Sequence, residues 1–200
     1  MLLRDDNKPI VAYIGRLDAQ KGVNLVHHSI YHALAKDAQY VLLGSATGAD
    51  INAQFQYEKN YLNHNPDVHL ELSFNEELAH LIYAGADMIV VPSNYEPCGL
   101  TQMIGLKYGT VPIVRAVGGL VNTVFDRDYE TGKPPEKRNG YVFNDMDYHA
   151  VDFAMERALW LWYNEKDEYR MLMKQGMECD YSWNHPGSEY LDNYESIRDK

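Results

Sequence analysis

The sequence has little cysteine and no long hydrophobic run. Its two cysteines, Cys98 and Cys179, are too few for a disulfide framework and too far apart for a Cys-x-x-Cys metal pair, which fits a reducing compartment. No apolar stretch approaches the roughly 20 residues that a membrane-spanning helix needs, and no signal peptide is recognisable. We therefore expect no membrane partner.

Positive charge is also scarce. Lysine and arginine number 18 against 29 acidic residues, which makes the formal net charge -11. An acidic surface repels phosphate backbones, so nucleic acid is not an expected partner, and any phosphate site must be a local basic cluster. The remaining composition, 46% hydrophobic and 24% charged, is typical of one globular domain or a domain with an appendage.

Apolar, strand-like segments alternate with helical patterns along the chain. The predicted strands are residues 10–15, 40–43, 68–72, 88–91, 111–114 and 141–143. The predicted helices are residues 23–34, 51–62, 76–83, 101–108, 148–163, 167–177 and 188–197. This alternation predicts an α/β fold with a Rossmann-like, doubly wound parallel sheet, and residues 127–139 are predicted to form a surface loop.

Two basic residues follow the first predicted strand. Arg16 and Lys21 lie in a Gly-Arg-Leu-Asp-Ala-Gln-Lys-Gly segment at 15–22. Ligands of open α/β sheets bind outside the carboxyl ends of the strands. A planar guanidinium and a lysine point charge there suit a diphosphate. The alternative interpretation is a solvated loop of ordinary charges.

A carboxylate follows the fourth predicted strand. Glu96 precedes a Pro-Cys-Gly-Leu-Thr-Gln segment that opens a predicted helix. The carboxylate is a candidate acceptor for sugar hydroxyls, and the free N–H groups of the helix start suit a phosphate. Alternatively, Glu96 caps that helix or pairs with Arg16.

Three more loops at predicted strand ends carry candidate ligand groups. Gly44 and the pair Gly118 and Gly119 permit close backbone approach, and Phe74, after Ser73, offers a ring to stack on a base. Taken singly, an ordinary turn or core packing explains each of them. Their shared position with the two charged loops, along one edge of one sheet, favours a ligand site.

The histidines predict no metal site. His27, His28 and His32 occupy one predicted helix at spacings that do not place all three on one face, and the other histidines are scattered. No serine, histidine and aspartate order suggests a nucleophilic triad. We therefore expect neither a metal nor an organic cofactor.

The motifs at 15–22, the Glu-Pro-Cys-Gly-Leu-Thr-Gln run at 96–102 and Gly-Gly-Leu at 118–120 resemble the carboxyl-terminal half of starch and glycogen synthases, glycosyltransferase family 5. The resemblance covers essentially the whole chain, and residues 92–125 are most similar to plant and algal soluble starch synthases of types III and IV. It implies the carboxyl-terminal half of a GT-B glycosyltransferase, in which two Rossmann-like domains face each other across a cleft.

The resemblance implies specific roles for the motif residues. Arg16 and Lys21 would bind the diphosphate and stabilise the leaving ADP, and Glu96 would contact the transferred glucose. The nucleotide-sugar-binding set would be Gly15, Gly44, Ser73, Phe74, Cys98, Gly99, Leu100, Thr101, Gly118 and Gly119. Within this set, the adenosine would lie against residues 44, 73 and 74, and the phosphate against the amides of residues 100 and 101.

The resemblance also implies an activity and a domain division. The activity would be a retaining transfer of glucose from ADP-glucose to the non-reducing end of an α-1,4-glucan, in plastid starch biosynthesis. Residues 1–8 would be a linker, 9–185 the nucleotide-sugar-binding domain and 186–200 a helix that crosses back to an amino-terminal domain absent from this sequence. Without that partner domain the chain would be inactive.

Two alternatives remain open at this point. One is a GT-B transferase or epimerase that uses UDP-sugars. The other is a non-catalytic module that binds a nucleotide or a glucan. Preference for UDP over ADP would indicate the first, and ligand binding without activity in the complete enzyme would indicate the second.

Overall fold

The computed structural model describes residues 7–198. Of the predicted linker at 1–8, only the last two residues are therefore described. Lys8 lies next to the first strand, with its ammonium 2.7 Å from an Asp37 carboxylate oxygen and 2.8 Å from one of Asp67. Within the described range, no helix combines the length and apolar character of a membrane span.

The centre of the fold is a six-stranded sheet in which every pairing is parallel. Its strands are β1 Ile10–Leu17, β2 Gln39–Ala46, β3 Val68–Glu71, β4 Met88–Val91, β5 Val111–Arg115 and β6 Tyr141–Phe143. Their order across the sheet is β3-β2-β1-β4-β5-β6. The chain therefore reverses its winding between β1 and β4, the position where ligands bind in doubly wound sheets.

Eight α-helices accompany the sheet in the described part of the chain. They are α1 Val23–Ala35, α2 Ala49–Leu62, α3 Glu76–Gly85, α4 Thr101–Tyr108, α5 Gly119–Thr123, α6 Tyr148–Asn164, α7 Lys166–Met177 and α8 Asn184–Arg198. The six predicted strands and seven predicted helices are confirmed, whereas α5 and two 3₁₀ turns, Ala19–Lys21 and Pro135–Lys137, were not predicted. The domain division at residue 185 stays a prediction, and α8 begins just before it.

Alternation along the strands fills a core on both faces of the sheet. Val11 and Tyr13 of β1 pack into the larger cluster with α1 and α6, whereas Ala12 packs into the cluster that contains Ile82 of α3. Successive strand side chains point to opposite faces, so a strand buried on both sides is apolar throughout. The predicted doubly wound α/β fold is confirmed.

A buried ion pair holds the loop that follows α5 against β6 and α6. Both carboxylate oxygens of Asp126 accept hydrogen bonds from the Arg157 guanidinium at 2.9 Å, and one also accepts from the Val142 amide at 2.6 Å. Burial alone would raise the pKa of Asp126, but the hydrogen bonds from Arg157 and the amide outweigh it and lower the pKa. The pair therefore anchors the start of the long loop that was predicted at 127–139.

Candidate active site at the carboxyl edge of the sheet

The loop after β1 is organised by Asp18. One oxygen of its carboxylate accepts a hydrogen bond from the Lys21 amide at 3.0 Å and so caps the short 3₁₀ turn. The other oxygen lies 2.8 Å from a guanidinium nitrogen of Arg16, whose side chain remains 53% exposed. The loop thus holds the guanidinium in place and leaves it accessible from solvent.

Lys21 and Glu96 meet at the switch point between β1 and β4. The Lys21 ammonium donates to Oε2 of Glu96, and the hydroxyl of Ser93 donates to the same oxygen at 3.0 Å. Glu96 is only 6% exposed. The sequence alternatives for Glu96, pairing with Arg16 or capping a helix, are not what the structure shows: its cation partner is Lys21.

Backbone contacts bring the two switch-point loops together. The amide of Asn94, after β4, donates to the carbonyl of Gln20, after β1, at 2.8 Å. Gly22 has a φ of +69°, and a Cβ there would lie 2.0 Å from the Pro92 carbonyl oxygen. Only glycine permits this approach, which fixes how near Lys21 comes to Glu96.

The paired glycines after β5 pack against the backbone of Glu96. Gly118 has a φ of +52°, and a Cβ there would lie 1.9 Å from the Glu96 carbonyl oxygen. The amide of Gly119 donates to that same carbonyl at 3.0 Å, and a Cβ on Gly119 would lie 2.1 Å from the Cys98 carbonyl oxygen. A third strand-end loop therefore sets the backbone position of the carboxylate.

Helix α4 begins in the same segment as this carboxylate and has no side-chain cap from its N-cap residue. Gly99, at φ +77°, turns the chain into the helix, and its carbonyl accepts a hydrogen bond from the buried Gln102 amide group at 2.9 Å. Leu100 is the N-cap and is exposed, and no side chain of the described residues caps the helix start there. The first N–H groups of α4, including that of Thr101, are thus oriented for an anion.

An open cleft of about 400 Å³ adjoins the charged loops. It is lined by Gly15, Arg16, Gly44, Ser73 and Phe74 from three strand-end loops. The phenyl ring of Phe74 is 89% exposed, so it stands at the rim with a free face. Gly44 packs so tightly against β1 that a Cβ there would lie 2.7 Å from the Gly15 carbonyl oxygen.

The structure thus places the predicted residues in two groups that are connected by the loop after β1, which carries both Arg16 and Lys21. The first group lines the cleft, and the second surrounds the contact between Lys21 and Glu96. Cys98 and Leu100 are exposed beside the second group. These positions are compatible with the predicted roles, which stay predictions.

Sequence reasoning missed several residues of the site. Arg115, at the end of β5, donates to the carbonyls of Ser93 at 3.3 Å and Asn94 at 3.1 Å, so it braces the loop that carries Glu96. Tyr83 and His80 of α3 contribute to the cleft wall. The signal available for Arg115 was a cation at a strand's carboxyl end, the same signal that identified Arg16.

The three histidines of α1 do not share one face, as predicted, but two of them do. His27 pairs with Glu58 at 2.9 Å, away from the other two. His28 and His32, four residues apart, share a face and both lie within 3.0 Å of one oxygen of Asp152 on α6. Treating the three as one set hid the i, i+4 pair.

Comparison with known proteins identifies the family. Residues 2–175 match the family described as "Glycosyl transferases group 1". The chain is 72% identical over 200 residues to "Glycogen synthase 1" of the bacterium Trichormus variabilis, which covers all of this chain and 41% of that protein. The chain thus spans about two-fifths of the length of the curated relatives it matches.

Two solved structures extend the comparison. The catalytic domain of starch synthase IV from Arabidopsis thaliana, bound to ADP and acarbose, superposes with a TM-score of 0.94 at 37% identity, over 98% of this chain and 40% of that one. Sucrose-phosphate synthase from Thermosynechococcus elongatus superposes with a TM-score of 0.68 at 27% identity, over 95% and 45%. The predicted resemblance to starch and glycogen synthases is confirmed, whereas the predicted similarity of residues 92–125 to the plant and algal types is not. The chain belongs to the group 1 glycosyl transferases, with glycogen synthases among its relatives and the fold of a GT-B carboxyl-terminal domain.

Proposed function

We propose that this chain binds ADP-glucose at the carboxyl edge of its sheet. In a longer enzyme it would transfer the glucose, with retention, to the non-reducing end of an α-1,4-glucan. The observation that carries this proposal is the juxtaposition of the Lys21 and Glu96 pair with the cleft that Arg16 and Phe74 border. That arrangement offers cations for a diphosphate, a carboxylate for a sugar and an aromatic ring for a base.

The diphosphate would lie between Arg16, Lys21 and the start of α4. The barrier to transfer is the departure of ADP from an oxocarbenium-like centre, so charge grows on the diphosphate as the bond breaks. The exposed guanidinium of Arg16 and the ammonium of Lys21 would stabilise that charge, together with the amides of Leu100 and Thr101. These groups supply the needed positive charge, so we propose that the transfer uses no cofactor.

Glu96 would contact the glucose rather than the nucleotide. Its Oε2 is occupied by Lys21 and Ser93, which leaves Oε1 as an acceptor for a sugar hydroxyl. The adenosine would occupy the cleft beyond Arg16, against Gly15, Gly44 and Ser73, with its base stacked on Phe74.

The rest of the enzyme would supply the acceptor side. Because the chain spans about two-fifths of its relatives, we propose that a second domain closes over the donor and contributes most glucan contacts. Alone, this chain would bind nucleotide and transfer no sugar. Closure would also exclude water, which strengthens the electrostatic stabilisation of the leaving group.

The class of glucan and the location are finer proposals. Identity is 72% to a bacterial glycogen synthase and 37% to a plant starch synthase, so we propose a glycogen-type glucan as the product. Location in a plastid and a role in starch biosynthesis rest on the resemblance of residues 92–125 alone and stay predictions.

A calorimetric titration with ADP, UDP and NAD tests the donor site. We expect selective binding of ADP, weakened about tenfold or more by Arg16→Ala, since a hydrogen bond to a charged group contributes about 1.5–3 kcal/mol. Arg170→Ala is the matched control, because Arg170 is exposed on α7 and pairs only locally with Asp167 at 3.1 Å. Tighter binding of UDP would instead support an enzyme that uses UDP-sugars, and no nucleotide binding by a folded sample would contradict a donor site on this chain.

A further inference from the structure

We propose that His28, His32 and Asp152 form a binding site for a divalent transition-metal ion, with Zn²⁺ the best match. The three side chains join α1 to α6 and lie outside the group that surrounds Lys21 and Glu96. Each offers one ligand atom, and these atoms all lie within 4.8 Å of one another. Imidazole and carboxylate groups are ligands that Zn²⁺ takes in proteins.

The geometry brings two imidazoles to one carboxylate oxygen. Nε2 of His28 lies 2.7 Å and Nδ1 of His32 lies 3.0 Å from Oδ1 of Asp152. Ligands about 2.0–2.2 Å from a tetrahedral ion are somewhat farther apart than this, so small side-chain shifts would admit the ion. Three protein ligands leave one position of a tetrahedral site for water.

The surroundings of His32 favour an ion over a plain hydrogen-bond cluster. Its side chain is 10% exposed, and among the described residues its Nε2 has no hydrogen-bond partner. If Nδ1 donates to Asp152, Nε2 is left as a buried acceptor with no donor, which is costly. If Nδ1 binds a metal, Nε2 carries the proton and faces Oε1 of Glu156, now 3.8 Å away, as metal-bound histidines face carboxylates.

The other neighbours also suit a cation. Tyr148 stacks on the His28 ring, with centroids 4.2 Å apart and planes 10° from parallel, which fixes the orientation of that ligand. Asp152 and Glu156 bring two negative charges, and Lys36, 2.7 Å from Glu156, brings one positive charge.

Bound Zn²⁺ would cross-link two helices that pack on the same face of the sheet. Helix α1 starts directly after the loop that carries Lys21. The link would therefore stabilise the helix that anchors the end of this loop. The expected effect is on stability and not on the chemistry of transfer.

Titration of the 200-residue chain with Zn²⁺ in a non-chelating buffer tests the proposal. We expect saturable binding of one ion per chain, and at a free concentration of 100 Kd a rise in Tm of about 5–10 °C. Asp152→Asn and His28→Gln should each weaken binding by about 100-fold or more, since loss of an outer partner alone costs 10–100-fold. Glu156→Gln should weaken Zn²⁺ binding by about 10-fold to 100-fold, because Glu156 would be the outer partner of His32.

Control variants and ions make the result decisive. His64→Gln, at an exposed histidine outside the cluster, should bind Zn²⁺ like the parent. Mg²⁺, which prefers oxygen ligands, should not compete. The proposal is overturned by no saturable binding to the folded parent, by equal Zn²⁺ affinity in parent and Asp152→Asn, or by equal binding of Mg²⁺. ADP affinity should be the same in Asp152→Asn as in the parent, so this test and that of the donor site fail independently.

Discussion

At the scale of single residues, the site depends on the hydrogen-bond partners and burial of Glu96. Its carboxylate is nearly enclosed, and one oxygen already accepts from both Lys21 and Ser93. A buried carboxylate that loses its cation partner carries an uncompensated charge. Substitutions on the two sides of this pair therefore have different expected consequences.

Lys21→Ala should strongly reduce turnover in a longer protein that also includes the part of its relatives that this chain does not span. Removing one preorganised donor to a developing anion typically lowers kcat by about 10²–10³. Glucan affinity should change little, because the ammonium faces the switch point between β1 and β4. Steady-state kinetics with Lys174→Ala, at an exposed lysine of α7, provides the control. Equal kcat in Lys21→Ala and the parent would contradict the proposed role.

Glu96→Gln should abolish or greatly reduce transfer without weakening ADP binding. The amide keeps the shape but loses the charge, and it releases Lys21 to interact with the diphosphate. The isolated chain should therefore bind ADP as tightly as the parent, or more tightly, in a calorimetric titration. A large loss of ADP affinity would instead place Glu96 at the nucleotide.

At the scale of elements, the site is held by three loops whose backbones approach so closely that two positions, Gly22 and Gly118, have no room for a Cβ. Gly22, in the loop after β1, lies against the Pro92 carbonyl oxygen. Gly118, in the loop after β5, lies against the Glu96 carbonyl oxygen. Each loop ends a different strand, and the parallel sheet brings those ends to one edge. Backbone position, rather than side-chain packing, thus aligns Lys21 with Glu96.

Gly118→Ala should destabilise the domain. A Cβ would lie 1.9 Å from the Glu96 carbonyl oxygen, and the positive φ is itself unfavourable for alanine. We expect a loss of about 1–3 kcal/mol, or a fall of about 2–4 °C in Tm for each kcal/mol. Gly48→Ala is the matched control, because its Cβ would meet nothing within 4 Å and its φ is -103°. Thermal unfolding that does not distinguish the two variants would refute this account.

The ion pair between Asp126 and Arg157 should make stability depend on acid pH. The pKa of Asp126 is lower in the folded chain than its ordinary value of 3.8. Its contribution is therefore complete above that value and is lost as the pH falls through the folded pKa. Asp126→Asn should lower the free energy of unfolding by about 3 kcal/mol at pH 7, since Arg157 loses its buried partner.

Urea unfolding across the acid range checks this expectation. The difference in free energy of unfolding between the parent and Asp126→Asn should shrink as the pH falls below about 4. Asp167→Asn, at a fully accessible carboxylate, should follow the parent at every pH. A difference that stays constant from neutral to acid pH would show that the charge of Asp126 is not what stabilises the loop.

At the scale of the whole molecule, the described part of the chain exposes apolar surface on its last helix. Helix α8 exposes the side chains of Tyr190, Leu191, Tyr194 and Ile197, within the segment that the resemblance predicts to cross to a second domain. The net charge of -11 does not favour anionic ligands as such. We therefore expect an anionic ligand to depend on the local position of Arg16 and Lys21 at the switch point rather than on overall charge.

Much of the fold was predictable because its signals are local. Continuous apolar runs such as 88–91 mark strands buried on both faces, and the turn residues between them mark their ends. Helix α5, only five residues long, escaped prediction because so short a segment has no measurable periodicity. The i, i+4 pair His28 and His32 was not singled out from the sequence, because Asp152, the residue that both contact, is distant along the chain.

By itself, the sequence determined the α/β class, the loops that carry ligand groups and the family to which their motifs point. These follow from residue type and spacing along the chain, which are local properties. Only the tertiary structure decided that Glu96 pairs with Lys21 rather than Arg16, that Arg115 braces the loop that carries Glu96, and that Asp152 contacts two histidines. The physical reason is that such pairings join residues about 20 to 125 positions apart, and their distances depend on strand order and on how closely glycines let backbones approach.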